Sequence, residues 1–447
     1  MLQPFAPIAL SVCLAPALSL PATANAADAP AAQASQIAQA AEGLRPTLVA
    51  LRRDFHQHPE LANAEARTAR VVAEHLRALG LDEVRTNVAG HGVIALLRGG
   101  LPGPVVAVRA EMDALPILET NHVPYCSLVP GVMHACGHDA HTAIALGMAE
   151  VLSQIRSRLP GTVKFLFQPA EENAPSEDAD GAVRMIRAGA LDNPRPQALF
   201  ALHVSPELDA GTIGYHAGPA QAAIDVVAVT IRGKAPPGPA PQLGVDTIVV
   251  AAECLSALQT IRSRRTDPFD PALLTIGSIH GGDLPFDTPG EVKLQGSIRT
   301  FSDATRESVL RSVRETLAGI TSAYGATYDL QDHPITTVMV NNPQLVAQSL
   351  PSLRRAVGSA RVVEIPQRMG GEDFSYYGRI VPAFLFRLGS GNQAQGITAP
   401  VHTAGFDIDE DCLVVGVKAM ATVVADFLRT APGDIGGPPN TLTPDHK

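Results

Sequence analysis

The sequence is short of the features that mark three common protein classes. Positive charge is sparse: 34 Lys and Arg stand against 44 Asp and Glu, for a formal net charge of −10. There is no basic run, which excludes nucleic acid as a partner. Cysteine is scarce, at five in 447 residues. Cys13 falls in the leader described below, and Cys126, Cys136, Cys254 and Cys412 are too few for a disulfide scaffold. After residue 26 no stretch reaches about 18 uncharged apolar residues, so no membrane contact is expected once the leader is removed.

What is present points to an ordered, multi-domain chain. A hydrophobic share of 46% argues against general disorder, and the length favours two domains. Thirty-eight glycines and 37 prolines exceed ordinary usage, about 12% together, and mark many tight loops. Ile8 to Leu20 is apolar and ends in Ala24-Asn25-Ala26, a small-residue cleavage pattern. No Lys or Arg precedes the run, the one departure from an export signal. The expectation is a signal over 1–26, a periplasmic or secreted mature protein, and a linker over 27–44, whose Ala-rich run 27–41 reads alternatively as the start of a helix. Residues 431–447 are expected to form a disordered tail.

From residue 45 strand and helix signals alternate. Helices are predicted over 47–57, 66–79, 140–155 and 180–188, and strands over 92–97, 105–110, 162–168 and 198–204. This predicts an α/β catalytic domain around a mostly parallel sheet, in two parts, 45–221 and 335–430. Between them, 222–334 reads as strand 224–232, helix 245–264, strands 273–279 and 292–301, helix 304–324 and strand 326–330. The order β-α-β-β-α-β is the ferredoxin-like split unit, predicting an inserted lid domain. The second part carries helix 343–357, strand 383–388 and helix 413–428.

The chemistry-bearing residues fall where such a sheet places a site, beyond the carboxyl ends of its strands. Glu111 and Asp113 follow one strand, Glu171 and Glu172 a second, and His203 ends a third. Between them lies His134-Ala-Cys136-Gly-His138-Asp139-Ala-His141. Thiolate, imidazole and carboxylate donors at this density suit zinc and its first-row neighbours. Gly137 lets the backbone turn so that Cys136 and His138 face one point, leaving His134, Asp139 and His141 as supporting or helix-start residues. Adjacent Glu171 and Glu172 can divide the roles of metal ligand and proton carrier, or form a solvated acidic loop. His203 and His402 alone would read as packed histidines. His56 and His58 read as structural. Glu372 is placed either to reach a substrate amine or amide or to cap a helix.

Together these residues resemble the hippurate hydrolase, aminoacylase and auxin-conjugate hydrolase branch of the dinuclear metallopeptidases. The matching stretches run in family order: Arg53 to Leu61, Met112 to Pro116, Met133 to Asp139, Gln168 to Glu172, Leu202-His203, Gly296 to Phe301, Met369 to Phe374, and His402. The resemblance implies two divalent ions (Zn²⁺, Mn²⁺, Co²⁺ or Ni²⁺) held by Cys136, His138, Glu172, His203 and His402. It implies Glu171 as general base, Asp113 orienting a ligand, and small amide substrates such as N-acyl amino acids. Arg299, Glu372 and Phe286 are its candidate substrate residues.

The chain departs from that pattern in the lid. The family's lid histidine falls on Pro237 and its lid asparagine on Phe286; Glu111 stands where Asp is usual. Phe286 predicts a more apolar pocket, suited to bulky or aromatic acyl groups. The resemblance implies a homodimer through the lid, although Pro237 removes the reason for one at that position. Two functions follow: a metal-dependent amidohydrolase, with a carboxypeptidase or dipeptidase as its nearest alternative, or a metal-binding relative without turnover.

Overall fold

The computed structural model describes residues 1, 29–172, 180–238 and 240–430. The expected export signal and the tail over 431–447 lie outside the described residues, apart from Met1. An eight-stranded sheet organises the larger domain. Its strands lie in the order Glu83–Val88, Gly92–Arg98, Pro160–Gln168, Leu101–Glu111, Ala198–Asp209, Ala383–Gly391, Ile213–Tyr215 and Val362–Glu364. The four central strands, from Pro160–Gln168 to Ala383–Gly391, are mutually parallel, and antiparallel pairings lie towards both edges. The central strands are rich in Val, Leu, Phe and Ala and are buried on both faces, as a sheet covered by helices requires.

One face is covered by helices Arg45–Gln57, His138–Gln154 and Asp411–Arg429, which share the largest core with the sheet. The other face carries the shorter helices Gly181–Arg187 and Phe374–Gly378 over a second core containing Leu166, Leu199 and Tyr377. Of the two readings of the Ala-rich segment, linker or start of a helix, the structure has the second. The segment forms helix Ala29–Gly43, with Ile37 and Ala41 buried in the main core. Ala-rich sequence has high helix propensity, and Ile37 and Ala41, four apart, share one helix face.

Residues 223–336 build a separate antiparallel sheet in the order Thr327–Thr336, Ala223–Arg232, Glu291–Thr300, Ala272–His280. Its own core joins Val227, Val229 and Ile231 to helix residues such as Val250, Val313 and Leu317. The predicted β-α-β-β-α-β order is present, with two differences. The first helix is broken at Gln259 into Thr247–Leu258 and Thr260–Arg264, and the last strand runs on to Thr336. Asp246 caps the first helix, accepting from the N–H of Ile248 at 3.1 Å and of Val249 at 3.2 Å. Ser302 caps helix Asp303–Ala323 through Thr305 N–H at 3.1 Å.

The N-terminal helix can be tested directly. Ile37 is 1% exposed, so Ile37→Ala should cost about 2–4 kcal/mol through lost burial and a cavity. Chemical unfolding measures this; an unchanged midpoint would show that the segment does not pack on the domain.

Candidate metal centre

Three parallel strands run to one edge of the sheet; two carry site residues on their exit loops and the third within the strand. Leu101–Glu111 leads into Asp113, Pro160–Gln168 into Glu171 and Glu172, and Ala198–Asp209 carries His203. The Cys136 loop enters helix His138–Gln154 through Gly137, whose φ is 85°. A side chain at 137 would bring its Cβ within 2.4 Å of Val204 Cγ2. The turn expected at Gly137 is therefore demanded by both backbone conformation and close approach.

The five residues named as ligands fall into two overlapping groups, Cys136 with His138 and His203, and Cys136 with Glu172 and His402. Cys136 Sγ lies 3.4 Å from His203 Nε2 and 3.2 Å from His402 Nε2. His402 Nε2 lies 2.9 Å from Glu172 Oε1, but that buried oxygen has no hydrogen bond of acceptable geometry. His138 Nε2 is buried and also makes no hydrogen bond among the described residues. Crowded donors, two of them without hydrogen bonds among the described residues, fit divalent cations that these five residues would hold.

The imidazoles are oriented from behind. His138 Nδ1–H donates to Asp113, at 2.9 Å to its carbonyl and 3.2 Å to Oδ1. Asp113 Oδ2 accepts the N–H of Glu172 at 2.8 Å, so one carboxylate positions two ligands. His203 Nδ1–H donates to the Val204 carbonyl at 2.7 Å. In both rings Nε2 is left for an ion. Burial holds His203 well below the usual histidine range, reinforced by the Arg387 and His141 charges, and keeps it neutral. Burial, with Glu172 beside it, pushes the Cys136 thiol well up, so ion binding displaces its proton.

Glu171 Oε2 lies 4.0 Å from His138 Nε2. Burial and then the charges of Glu372, Glu172 and Asp373 raise its pKa well above the usual carboxylate range. Behind it lies a cluster that the sequence reading missed. Arg109, fully buried, pairs with Glu111 and Asp373, with Glu372 at 3.1 Å, and donates to Gln168 Oε1 at 3.0 Å. Burial pushes Asp180 up to about 6, and burial with the Asp180 charge holds Asp373 well above its ordinary range. The available signal was an Arg two residues before Glu111 on a buried strand, where alternate residues share a face.

The remaining candidates sort by their contacts. Glu111 Oε2 accepts from His141 Nδ1–H at 2.9 Å, and His141 Nε2 accepts the Val204 N–H at 3.0 Å. Both His141 nitrogens are thus used, and it supports the strand segment bearing His203. Asp139 pairs with Arg52 at 2.9 Å and His56 at 2.7 Å, which makes His56 structural as expected. His134 makes no hydrogen bond through either ring nitrogen, and burial pushes it down to about 3. Glu372 accepts Phe374 N–H at 3.1 Å, capping the helix, and it also lines the pocket.

That pocket measures about 660 Å³ and is lined by four of the five candidate ligands, all but His138, with Glu171, Arg299, Ile335 and Thr336 among others. Arg299 donates to the Met369 carbonyl at 2.6 Å. Phe286 is not on the pocket wall; it is 88% exposed. The expected apolar lining is corrected by lid geometry. Arg299 ends the ten-residue strand Glu291–Thr300, and the loop carrying Phe286 joins its opposite end, about 30 Å away at 3.3 Å per residue. Gly233, just before the Pro237 segment, donates to Gly290 at 3.0 Å, at that same far end.

Glu65, a second missed residue, is fully buried. Its Oε1 accepts Ala170 N–H at 2.8 Å and Asn63 N–H at 3.0 Å. Ala170 has φ 53°, a left-handed conformation that is strained for a residue with a side chain. Glu65 thus helps hold the residue immediately before Glu171.

The sequence profile of peptidase family M20/M25/M40 matches residues 107–426. The chain is 34% identical over 388 residues to an N-acetylcysteine deacetylase of Bacillus subtilis, covering 86% of this chain and 97% of the relative. It is 35% identical over 384 residues to thermostable carboxypeptidase 2 of Saccharolobus solfataricus, covering 85% and 95%. The crystal structure of a dinuclear metal-binding peptidase from Bacillus subtilis matches with a TM-score of 0.75 at 33% identity, covering 87% and 99%.

Two measurements probe this arrangement. Cys136→Ser should remove most bound metal from both groups, read by elemental analysis, because both share its sulfur; two ions retained per chain would overturn the shared-thiolate geometry. Burial pushes Glu65 from 4.5 up to about 7. A raised carboxyl stabilises the fold below pH 4.5, and that contribution is lost as pH rises through 7. Glu65→Gln should therefore gain stability relative to wild type between pH 5 and 8, by up to roughly 3 kcal/mol. Equal offsets at both pH values would show that Glu65 titrates normally.

Proposed function

Because the chain belongs to peptidase family M20/M25/M40, we propose that it is a metal-dependent amidohydrolase cleaving the amide bond of N-acyl amino acids or similar small amides. We place it in the hippurate hydrolase, aminoacylase and auxin-conjugate branch. The observation that carries this reading is the pair of ligand groups meeting at Cys136 with the buried acid Glu171 beside them. When bound, the two ions supply an acidified water and polarise the scissile carbonyl.

The chain's own groups then divide the work. Glu171 takes a proton from the attacking water as its oxygen bonds to the acyl carbon. It returns that proton to the nitrogen as the carbon–nitrogen bond breaks, leaving a carboxylic acid and a free amine. Positive charge at the ligand groups favours the ionised form of Glu171 that the first transfer needs. Asp113 keeps His138 and Glu172 in place throughout. Arg299, on the lid side of the pocket, is positioned to meet a substrate carboxylate.

A carboxypeptidase or dipeptidase activity is the second reading, supported by the name of the Saccharolobus relative. The same cleft and the same proton carrier serve that bond. A non-catalytic metal-binding role is favoured only by Pro237, which has no side-chain donor and no N–H. Export to the periplasm or medium and a homodimer through the lid belong to the same proposal. They are supported by the Ala24-Asn25-Ala26 pattern and by Leu284 and Phe286, exposed on the lid loop.

The reading is tested by exchanging the two adjacent acids. Glu171→Gln should keep both ions and lose at least roughly 10²-fold in kcat on an N-acyl amino acid, as for a lost general base. Glu172→Gln should lose bound metal instead. If Glu171→Gln turns over at the wild-type rate, the proposed proton path is wrong.

A further inference from the structure

One wall of the pocket carries a buried cation with no counter-ion. Arg387 lies on strand Ala383–Gly391 in register with His203 and is 7% exposed. Among the described residues its guanidinium has neither an ion pair nor a hydrogen bond, yet it lines the cleft that holds the ligand groups. Arg368 lines the cleft beside it, and the Arg368 charge acts on Arg387. Gln221 is 4% exposed and its Nε2 has no partner. These three residues also border a small cavity of about 20 Å³.

The nearby acids are already engaged. Glu207 pairs with Arg368 at 2.7 Å and accepts from Ser205 Oγ at 2.7 Å. Glu372 pairs with Arg109 at 3.1 Å. Cys136 lies between His203 and His402. Burial and then the Arg368 charge hold Arg387 below the usual arginine range, as for a cation that its surroundings do not neutralise. A buried charge without a partner is strongly unfavourable, and two divalent ions in the neighbouring groups would add to the positive potential. Arg387 is therefore placed to take an anion supplied by a ligand in the cleft.

One carboxylate of an N-acyl amino acid can be met by Arg299 at the lid side of the cleft. Arg387, on the strand beside His203, and Arg368, on the loop after Val362–Glu364, stand on other elements, and their planar forks suit a second carboxylate. We propose that Arg387, supported by Arg368, forms a carboxylate subsite that selects amide substrates bearing two acidic groups. The second group is an acidic amino acid side chain or the free end of a dicarboxylic acyl group. This rests on the amidohydrolase reading; the bonds broken and formed are those of the same hydrolysis.

The test compares metal-loaded wild type, Arg387→Met and Arg368→Gln on two matched pairs. N-acetylglutamate against N-acetylglutamine reports an acidic side chain, and N-succinyl-leucine against N-acetyl-leucine an acidic acyl group. The dianionic member of one pair should be favoured at least about 10-fold in kcat/KM in wild type. Arg387→Met should cut that ratio at least about 10-fold, mainly through KM. A wild-type preference for the neutral member in both pairs, or a ratio unmoved by Arg387→Met, overturns the subsite.

Calorimetric titration with glutarate and butyrate supplies a readout independent of turnover. Glutarate should bind wild type at least about 10-fold more tightly than Arg387→Met of equal metal content, whereas butyrate should distinguish them little. Glutarate binding that ignores Arg387 counts against the subsite even if amides are hydrolysed. Arg387-dependent binding without turnover of any amide counts against the amidohydrolase reading and leaves the subsite standing. If Arg387→Met does not fold, the part-exposed Arg368→Gln carries the comparison, with a smaller loss expected in the same ratio.

Discussion

The guanidinium of Arg109 holds the acidic half of the site together. It is fully buried, and its partners come from three places in the chain: Glu111 on its own strand, Gln168 at the end of the neighbouring strand, and Glu372 with Asp373 on the loop after residue 364. Each partner adjoins a functional segment. Glu111 orients His141 behind His203, Gln168 precedes the Glu171–Glu172 turn, and Glu372 lines the cleft. Without that cation the carboxylates would repel one another in a medium that screens little. With it, they pack closely enough to raise the pKa of Glu171 while the ligand atoms keep a fixed geometry.

The ligand loops are held in conformations that a free peptide would avoid. Gly137 turns the chain between Cys136 and His138, and Ala170 and His402 both have left-handed φ, 53° and 63°. Such residues persist where surrounding bonds over-determine them. Ala170 N–H is held by Glu65, and His402 N–H donates to Ala135 at 2.7 Å. The strain falls beside donor atoms that lack protein partners, His138 Nε2 and Glu172 Oε1. The scaffold fixes the donors before anything binds, which lowers the ordering cost of capturing an ion.

The lid contributes the other side of the cleft through the ends of its strands nearest the catalytic domain: Ile224, Arg299, Ile335 and Thr336. Its far end, with Phe286 and the segment around Pro237, is separated by the length of a ten-residue strand. The pocket of one chain is therefore mixed on the lid side, where Arg299 and Thr336 stand beside Ile224 and Ile335, and carries Arg368 and Arg387 on the catalytic-domain side, with Phe286 on neither.

The sequence by itself determined the class of fold, the inserted split unit and the cluster of metal donors. Period-two and helical patterns, together with turn residues, record local geometry, and thiol, imidazole and carboxylate side chains at one edge of a parallel sheet leave few other uses. It set Asp139 and His141 apart from Cys136 and His138 but did not determine what engages them. His141 and Asp139 sit in the same run as His138, yet Glu111, Arg52 and His56 occupy them, and those partners are distant in sequence. The packed helix over 29–43 was legible as helix propensity but not as docked, because its partner surface is built from helices hundreds of residues later. Arg109, Glu65 and Arg387 each look ordinary in one dimension. Only the tertiary structure decided that the first two are paired and the third is not, because burial and charge compensation belong to neighbours that the chain brings together by folding.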